Sequence, residues 1–154
     1  MILLEYEAKS LLGDHNLPIP NSELLDASDL VSTTLHLPLV VKSQVPTGGR
    51  GKIGGVKLVS SGKEYNDAVT TIPTTSIKGL LPSKLLIEEK VDIKSELYLS
   101  IRFDRASQTL QLLAHPEGGI EIEDHNLDSF FIRTLTAAPT KELADELSDF
   151  YHLP

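Results

Sequence analysis

The sequence has no cysteine among its 154 residues, and this absence excludes disulfide scaffolds, thiol nucleophiles and zinc–thiolate sites. It also has no apolar run that approaches the roughly 18 residues of a membrane-spanning helix. Its first residues do not follow the order of a signal peptide, in which basic, apolar and small residues succeed one another. We therefore expect a cytoplasmic protein that has no membrane partner.

The chain also lacks an excess of positive charge. Its 14 Lys and Arg residues stand against 22 Asp and Glu residues, which leaves a formal net charge of -8. Because affinity for a nucleic-acid backbone comes mainly from Lys and Arg, this balance argues against a nucleic-acid partner. An anionic ligand would have to be held by a local pocket of basic or amide groups. The 40% apolar content is enough to bury a core in one compact unit or two small lobes.

Helical spacing of apolar residues predicts an opening helix over residues 4–12, which Gly13 would end as a left-handed C-cap. Residues 17–20, Leu-Pro-Ile-Pro, cannot continue a helix and should form an extended joint. Three further helices are predicted behind capping residues. The caps are Asp26 or Ser28 for a helix with Leu30, Val31 and Leu35, Ser61 for a helix through Ile72, and Thr140 for a helix through Tyr151.

Short apolar stretches between turn residues predict five strands. These strands span residues 38–42, 56–59, 85–88, 96–103 and 109–114. The first two are separated by only a glycine-rich segment, so we expect them to form a hairpin.

The strongest local signal is that glycine-rich segment, residues 48–55, which has five glycines in eight positions. Such a loop lets backbone N–H groups approach phosphate oxygens, and Arg50 and Lys52 add positive charge. A mobile surface hairpin is the alternative. The loop is followed by a strand and not by the helix of a dinucleotide site, and Pro46 and Ile53 break the P-loop pattern. A glycine loop between two strands is the kind of flap that covers a nucleotide in kinases.

Three charged residues near predicted strand ends are candidates for ligand contacts. Lys42 ends an apolar strand just before the glycine loop, where its ammonium group could meet phosphates. Glu88 and Glu96 flank the joint between two later strands, where carboxylates could accept hydrogen bonds from ribose hydroxyls. The alternative for all three is an ordinary solvated side chain at the end of a strand.

The histidines and the acidic residues near the end of the chain give weaker signals. No histidine has metal-like spacing or a paired nucleophile, so we interpret all five as structural or surface residues and predict no catalytic residue. They are His15, His36, His115, His125 and His152. An acidic stretch could bind Mg²⁺, although a solvated turn is the simpler interpretation. It consists of Glu117, Glu121, Glu123, Asp124 and Asp128.

Six segments, taken in order, resemble the β subunit of succinyl-CoA synthetases, and ATP-citrate lyase shares a looser form of the pattern. The likeness runs from residue 1 to about residue 124, and the ordered set is far more specific than any one motif. The segments are Leu-Glu-Tyr-Glu-Ala-Lys at 4–9, Leu-Pro-Ile-Pro at 17–20, Val-Val-Lys-Ser-Gln-Val at 40–45, Gly-Gly-Arg-Gly-Lys-Ile-Gly-Gly-Val at 48–56, Glu-Leu-Tyr-Leu at 96–99 and Glu-Gly-Gly-Ile-Glu-Ile-Glu at 117–123.

This resemblance implies an α+β chain with the ATP-grasp fold, in which two lobes grip a nucleotide. The small lobe would span residues 21–96, and residues 1–20 and 97–154 would form part of the larger lobe. The resemblance also implies a role for each of seven residues. Lys42 would contact the α- and β-phosphates, Gly49, Arg50 and Gly51 would form the flap, Glu88 and Val91 would line the adenine-binding joint, and Glu96 would accept from the ribose.

The same resemblance implies an activity and a partner. The family couples ATP or GTP hydrolysis to thioester formation from succinate and CoA, through a phosphohistidine on a partner α subunit. Its Mg²⁺-binding Asn and Asp would lie beyond this chain, as would the domain that meets the α subunit, so we expect the chain alone to be nearly inactive. Pro46-Thr47 departs from the family pattern and could alter the choice of nucleotide. A stand-alone nucleotide-binding or regulatory module and another ADP-forming acyl-CoA ligase are the alternatives.

Overall fold

The computed structural model describes residues 3–29, 32–119, 122 and 125–153. The chain divides into two compact units, residues 1–92 and residues 93–154. None of the helices in the described ranges combines the length and the apolar character needed to span a bilayer. How the units correspond to the two lobes implied by the resemblance stays a prediction.

The first unit is built on a four-stranded sheet whose neighbouring strands are all antiparallel. Its strand order is β1-β4-β2-β3, and two α-helices among the described residues belong to the same unit. The elements are α1 (Glu5–Asp14), β1 (Ser22–Asp26), β2 (Leu39–Gln44), β3 (Val56–Val59), α2 (Gly62–Thr71) and β4 (Lys84–Glu89).

Helix α2 covers one face of this sheet and closes the core. Ser61 caps the helix by accepting a hydrogen bond from the backbone N–H of Glu64 at 3.3 Å. Apolar side chains of α2 and of alternate strand positions are buried together, because successive strand residues point to opposite faces. The core residues are Leu39, Val41, Val59, Tyr65, Ala68, Val69, Ile72, Leu85 and Ile87.

The opposite face of the sheet carries polar and charged side chains, and α1 contacts it. Lys42 and Gln44 alternate with the buried Val41 along β2, so they point away from the core. The side-chain oxygen of Gln44 accepts a hydrogen bond from the backbone N–H of Tyr6 at 3.2 Å. This contact fixes the first turn of α1 over the charged face.

Among the described residues, the second unit has a three-stranded antiparallel sheet of order β5-β6-β7 and one α-helix. Thr140 caps that helix by accepting from the N–H of Leu143 at 3.4 Å. The rings of Phe131 and Phe150 join the helix to the sheet with centroids 5.5 Å apart. The elements are β5 (Tyr98–Asp104), β6 (Thr109–His115), β7 (Phe131–Leu135) and α3 (Lys141–Phe150).

The structure confirms most of the predicted elements, including the hairpin of β2 and β3 and the helices behind Ser61 and Thr140. The prediction for Gly13 is wrong, because α1 continues through Asp14. A Cβ at Gly13 would lie 3.2 Å from Cδ1 of Ile19, so this glycine serves close packing. A single glycine inside a helix costs only about 1 kcal/mol relative to alanine.

The predicted helix around Leu35 is also wrong within the described residues. Leu35 lies in an irregular segment, and Leu30 and Val31 lie outside the described residues. The residues before this segment form β1, which pairs with β4 along its whole length. Residue types that cap helices are also common in turns, so they do not by themselves predict a helix. Here the chain pairs with β4 and forms a strand before the irregular segment.

Candidate functional site

Lys42 stands at the centre of the charged face. Its Nζ lies 3.0 Å from Oε1 of Glu5 and forms a second ion pair with Glu88. Burial alone would lower the pKa of Lys42, but the hydrogen bonds and charges of Glu88 and Glu5 outweigh it and raise the pKa above its ordinary value. Lys42 therefore carries a full positive charge at neutral pH.

Glu88 is the buried anion of this face. Its side chain is 2% exposed and forms ion pairs with both Lys9 and Lys42. The register of the sheet explains the second pair, because Glu88 lies opposite Val40 and is therefore a diagonal neighbour of Lys42 on the same face. The Glu88 carboxylate is thus already occupied by two ammonium groups.

Arg50 reaches the same place from the glycine-rich segment. This segment forms a short 3-10 helix, Arg50–Ile53, between Gly49 and Gly54, whose φ angles are 77° and 86°. Both angles lie in the left-handed region that favours glycine. The guanidinium of Arg50 donates to the backbone oxygen of Ser43 at 2.8 Å and forms an ion pair with Glu5. The predicted flap is therefore folded back onto the end of β2.

Gly55 holds the base of this loop. Its N–H donates to the oxygen of Arg50 at 2.8 Å, and its own oxygen accepts from the N–H of Ser43 at 2.7 Å. The hydroxyl of Ser43 is buried beside Gly55 and has no hydrogen-bond partner among the described residues. These two hydrogen bonds therefore tie the end of the loop, just before β3, to Ser43 of β2 and to Arg50.

Glu5, at the first position of α1, links the three cations. Its Oε1 lies 2.8 Å from Nζ of Lys9 and 3.0 Å from Nζ of Lys42, and its Oε2 pairs with Arg50. Burial alone would raise the pKa of Glu5, but the hydrogen bonds and charges of Lys9 and Lys42 outweigh it and hold the pKa at about 2. Glu5 is therefore ionised at every physiological pH.

Sequence reasoning assigned no role to Glu5 or Lys9. Their spacing of four residues at the start of a helix is a recognisable signal for an ion pair. Local patterns could not predict that Glu5 also pairs with Lys42 and Arg50, because these residues follow Glu5 by 37 and 45 positions.

The charge cluster formed by Glu5, Lys9, Lys42, Arg50 and Glu88 has three cations and two carboxylates. It therefore carries one net positive charge on a chain whose formal net charge is -8. A partly desolvated group of converging cations attracts anions and strengthens hydrogen bonds to them. The cluster fits an anionic ligand such as a phosphate group.

The structure brings together Lys42, Arg50 and Glu88 of the seven predicted ligand-binding residues, with Gly49 and Gly51 in the adjoining loop. Val91 lies in the irregular segment that follows β4, and its side chain is 54% exposed. Glu96 belongs to the second unit. The roles predicted for all seven residues stay predictions.

Glu96 is held by the Gly118-Gly119 pair. The N–H of Gly118 donates to the backbone oxygen of Glu96 at 2.7 Å. A Cβ at Gly118 would lie 2.8 Å from the carbonyl carbon of Leu97, and a Cβ at Gly119 would lie 3.2 Å from Oε2 of Glu96. This close approach explains why two glycines stand after Glu117. Glu96 lies just before β5, whereas the sequence predicted it as the first residue of that strand.

The described residues contain no group of three or more His, Asp or Glu side chains arranged to hold a metal ion. Glu121, Glu123 and Asp124 of the acidic stretch lie outside the described residues. His115 is buried, its Nδ1 is 3.1 Å from the backbone nitrogen of Glu117, and its ring lies against those of His125 and Phe130.

Residues 2–128 match the family model of the ATP-grasp domain. The chain belongs to the ATP-grasp family. Among curated relatives, it is 41% identical over 127 residues to the β subunit of the ADP-forming succinate–CoA ligase of Ignicoccus hospitalis, with 80% of this chain and 34% of the relative covered. The same subunit of Haloarcula marismortui is 38% identical, with 80% and 33% covered. The chain thus spans about one third of the length of these relatives, and the resemblance drawn from the six segments is confirmed.

Solved structures confirm the α+β fold of this ATP-grasp chain. An acetyl-coenzyme A synthetase of Ca. Korarchaeum cryptofilum matches with a TM-score of 0.65 and 20% identity, covering 96% of this chain and 65% of that chain. An ATP citrate lyase of Methanothrix soehngenii matches with a TM-score of 0.62 and 19% identity, covering 92% and 36%. At these identities the likeness shows the fold alone.

Proposed function

We propose that this ATP-grasp chain binds the phosphate groups of ATP or GTP as the nucleotide-binding part of a succinate–CoA ligase-type β subunit. One observation carries the proposal: Lys42 from β2 and Arg50 from the glycine loop converge on the same anionic group. Cations that converge from two elements onto one carboxylate can also converge on a phosphate, whose charge and oxygen spacing are similar.

Lys42 and Arg50 would bind the nucleotide phosphates in different ways. Lys42 would offer a point charge to the α- and β-phosphates, while the planar guanidinium of Arg50 could form paired hydrogen bonds to one phosphate. Gly49 and Gly51 would let backbone N–H groups approach the phosphate oxygens. Charges fixed in a partly desolvated site stabilise the charge that develops during phosphoryl transfer.

The nucleoside would extend from the phosphates towards the end of β4. Glu88 and Val91 are our candidates for the adenine-binding joint, and Glu96 for the ribose. Because the Glu88 carboxylate is held by two lysines, we propose that Glu88 acts through its position on the strand and not as a free hydrogen-bond acceptor. Val91, with its exposed side chain, would supply apolar contact to the base.

The full reaction would form a thioester from succinate and CoA, with phosphate passed to a histidine on a partner α subunit. When bound, Mg²⁺ would neutralise charge on the nucleotide phosphates. The described residues do not offer a ligand set for this ion, so we assign no Mg²⁺ ligand to them. The role of this chain is to hold the nucleotide.

A calorimetric titration with magnesium-ATP and magnesium-GTP tests the proposal. We expect Lys42→Met to weaken nucleotide binding at least tenfold, about 1.4 kcal/mol. Lys57→Met is the matched control, because Lys57 lies on the neighbouring strand β3 and its Nζ donates to Thr71 of α2, on the opposite face of the sheet. Equal affinity in wild type and Lys42→Met, or an equal loss in both variants, would refute the phosphate site.

A further inference from the structure

The carboxylate of Glu5 occupies the place where the cations of the charge cluster converge. One of its oxygens contacts Lys9 and Lys42, and the other contacts Arg50. A single anionic group therefore bridges a strand residue and a residue of the glycine loop. This is the arrangement that a phosphate group would need to adopt with the same two elements.

Helix α1, which carries Glu5, is held to the sheet mainly by polar contacts. None of its residues is buried, and Leu11 and Leu12 are exposed. Besides the ion pairs of Glu5 and Lys9, the hydrogen bond from the N–H of Tyr6 to Gln44 ties its first turn to β2. Because little apolar surface is removed from water here, moving this first turn costs much less than moving a core helix.

The charge count favours an exchange of anions. With Glu5 in place the charge cluster has one net positive charge, and without it the cluster has two. A nucleotide phosphate that entered beside Glu5 would face its negative charge at close range, whereas one that replaced Glu5 would meet a cluster with two net positive charges.

We propose that Glu5 is an internal occupant of the phosphate site, which a nucleotide phosphate replaces on Lys42 and Arg50 as the first turn of α1 moves away. This inference rests on the proposed function and adds a residue that sets the affinity of the site. Because a ligand must outcompete a bridging carboxylate, the site selects multiply charged phosphates over singly charged anions.

Removing the charge of Glu5 tests this proposal. We expect Glu5→Gln to bind inorganic tripolyphosphate and magnesium-ATP about tenfold more tightly than wild type in calorimetric titrations. The control is Glu146→Gln, which removes the same charge from an ion pair with Arg133 in the second unit and should leave both affinities unchanged. Equal or weaker binding by Glu5→Gln would overturn the proposal.

A second variant tests the proposal if Glu5→Gln does not fold. If circular dichroism shows that Glu5→Gln is unfolded, Glu5→Asp retracts the carboxylate by one methylene and should tighten binding in the same direction. If wild type binds both ligands and the folded variant does not bind them more tightly, the proposed role of Glu5 is wrong but the phosphate site is retained. If neither wild type nor the folded variant binds either ligand, both the role of Glu5 and the proposed function are wrong.

Discussion

Glu88→Ala is expected to lower the free energy of unfolding by about 3–5 kcal/mol, the loss typical of breaking a buried ion pair. Glu88 is 2% exposed and pairs with two lysines. Its removal would leave Lys9 and Lys42 with only Glu5 as a shared partner, in a charge cluster that then holds three cations and one anion. Urea denaturation followed by circular dichroism measures the change.

The next residue of the same strand supplies the control for that experiment. Glu89 points to the other side of β4, and its carboxylate accepts a hydrogen bond from Asn21 at 3.0 Å near the surface. Glu89→Ala should therefore cost less than about 1 kcal/mol. Similar losses for Glu88→Ala and Glu89→Ala would contradict the view that Glu88 anchors the cluster.

Gly55→Ala is expected to destabilise the protein by about 3 kcal/mol, at the upper end of overpacking effects, and to displace Arg50. A Cβ at this position would lie 2.5 Å from Cδ1 of Ile77, 2.6 Å from Oγ of Ser43 and 3.1 Å from the oxygen of Arg50. The backbone cannot move aside, because hydrogen bonds to Arg50 and Ser43 hold both sides of Gly55. Urea denaturation and a magnesium-ATP titration measure the two effects.

Gly48→Ala is the matched control in the same loop. A Cβ at Gly48 meets no atom within 4 Å, so we expect a change in stability within about 0.5 kcal/mol. If both alanine variants were as stable as wild type, the close contacts and hydrogen bonds described for Gly55 would not be required to hold the loop.

Local patterns in the sequence were sufficient for much of the fold and for part of the site. The glycine-rich segment between two apolar stretches predicted the hairpin of β2 and β3, because glycine and β-branched residues act within a few positions. Ser61 and Thr140 predicted the starts of α2 and α3 for the same reason. Lys42, six residues before the first glycine of the loop, was predicted as a phosphate contact from its place near that pattern, and this role stays a prediction.

Other features depend on contacts between distant segments, which local patterns do not contain. Strand β1 forms by pairing with β4, about 60 residues later in the chain. The role of Glu5 arises only when α1 lies on the charged face of the sheet, close to residues that follow it by 37 and 45 positions. The pairing of Glu88 with Lys9 likewise joins residues 79 positions apart. Such contacts are decided by the fold as a whole.

Mapping of backbone amide shifts by NMR during a titration with magnesium-ATP tests the phosphate site most directly. We predict the largest shifts at Lys42, at residues 49–51 and at Glu5, where the cations converge and where α1 would move. Largest shifts in the cavity lined by Arg133, Thr136 and Glu142 of the second unit, with Lys42 and the glycine loop unchanged, would contradict the site.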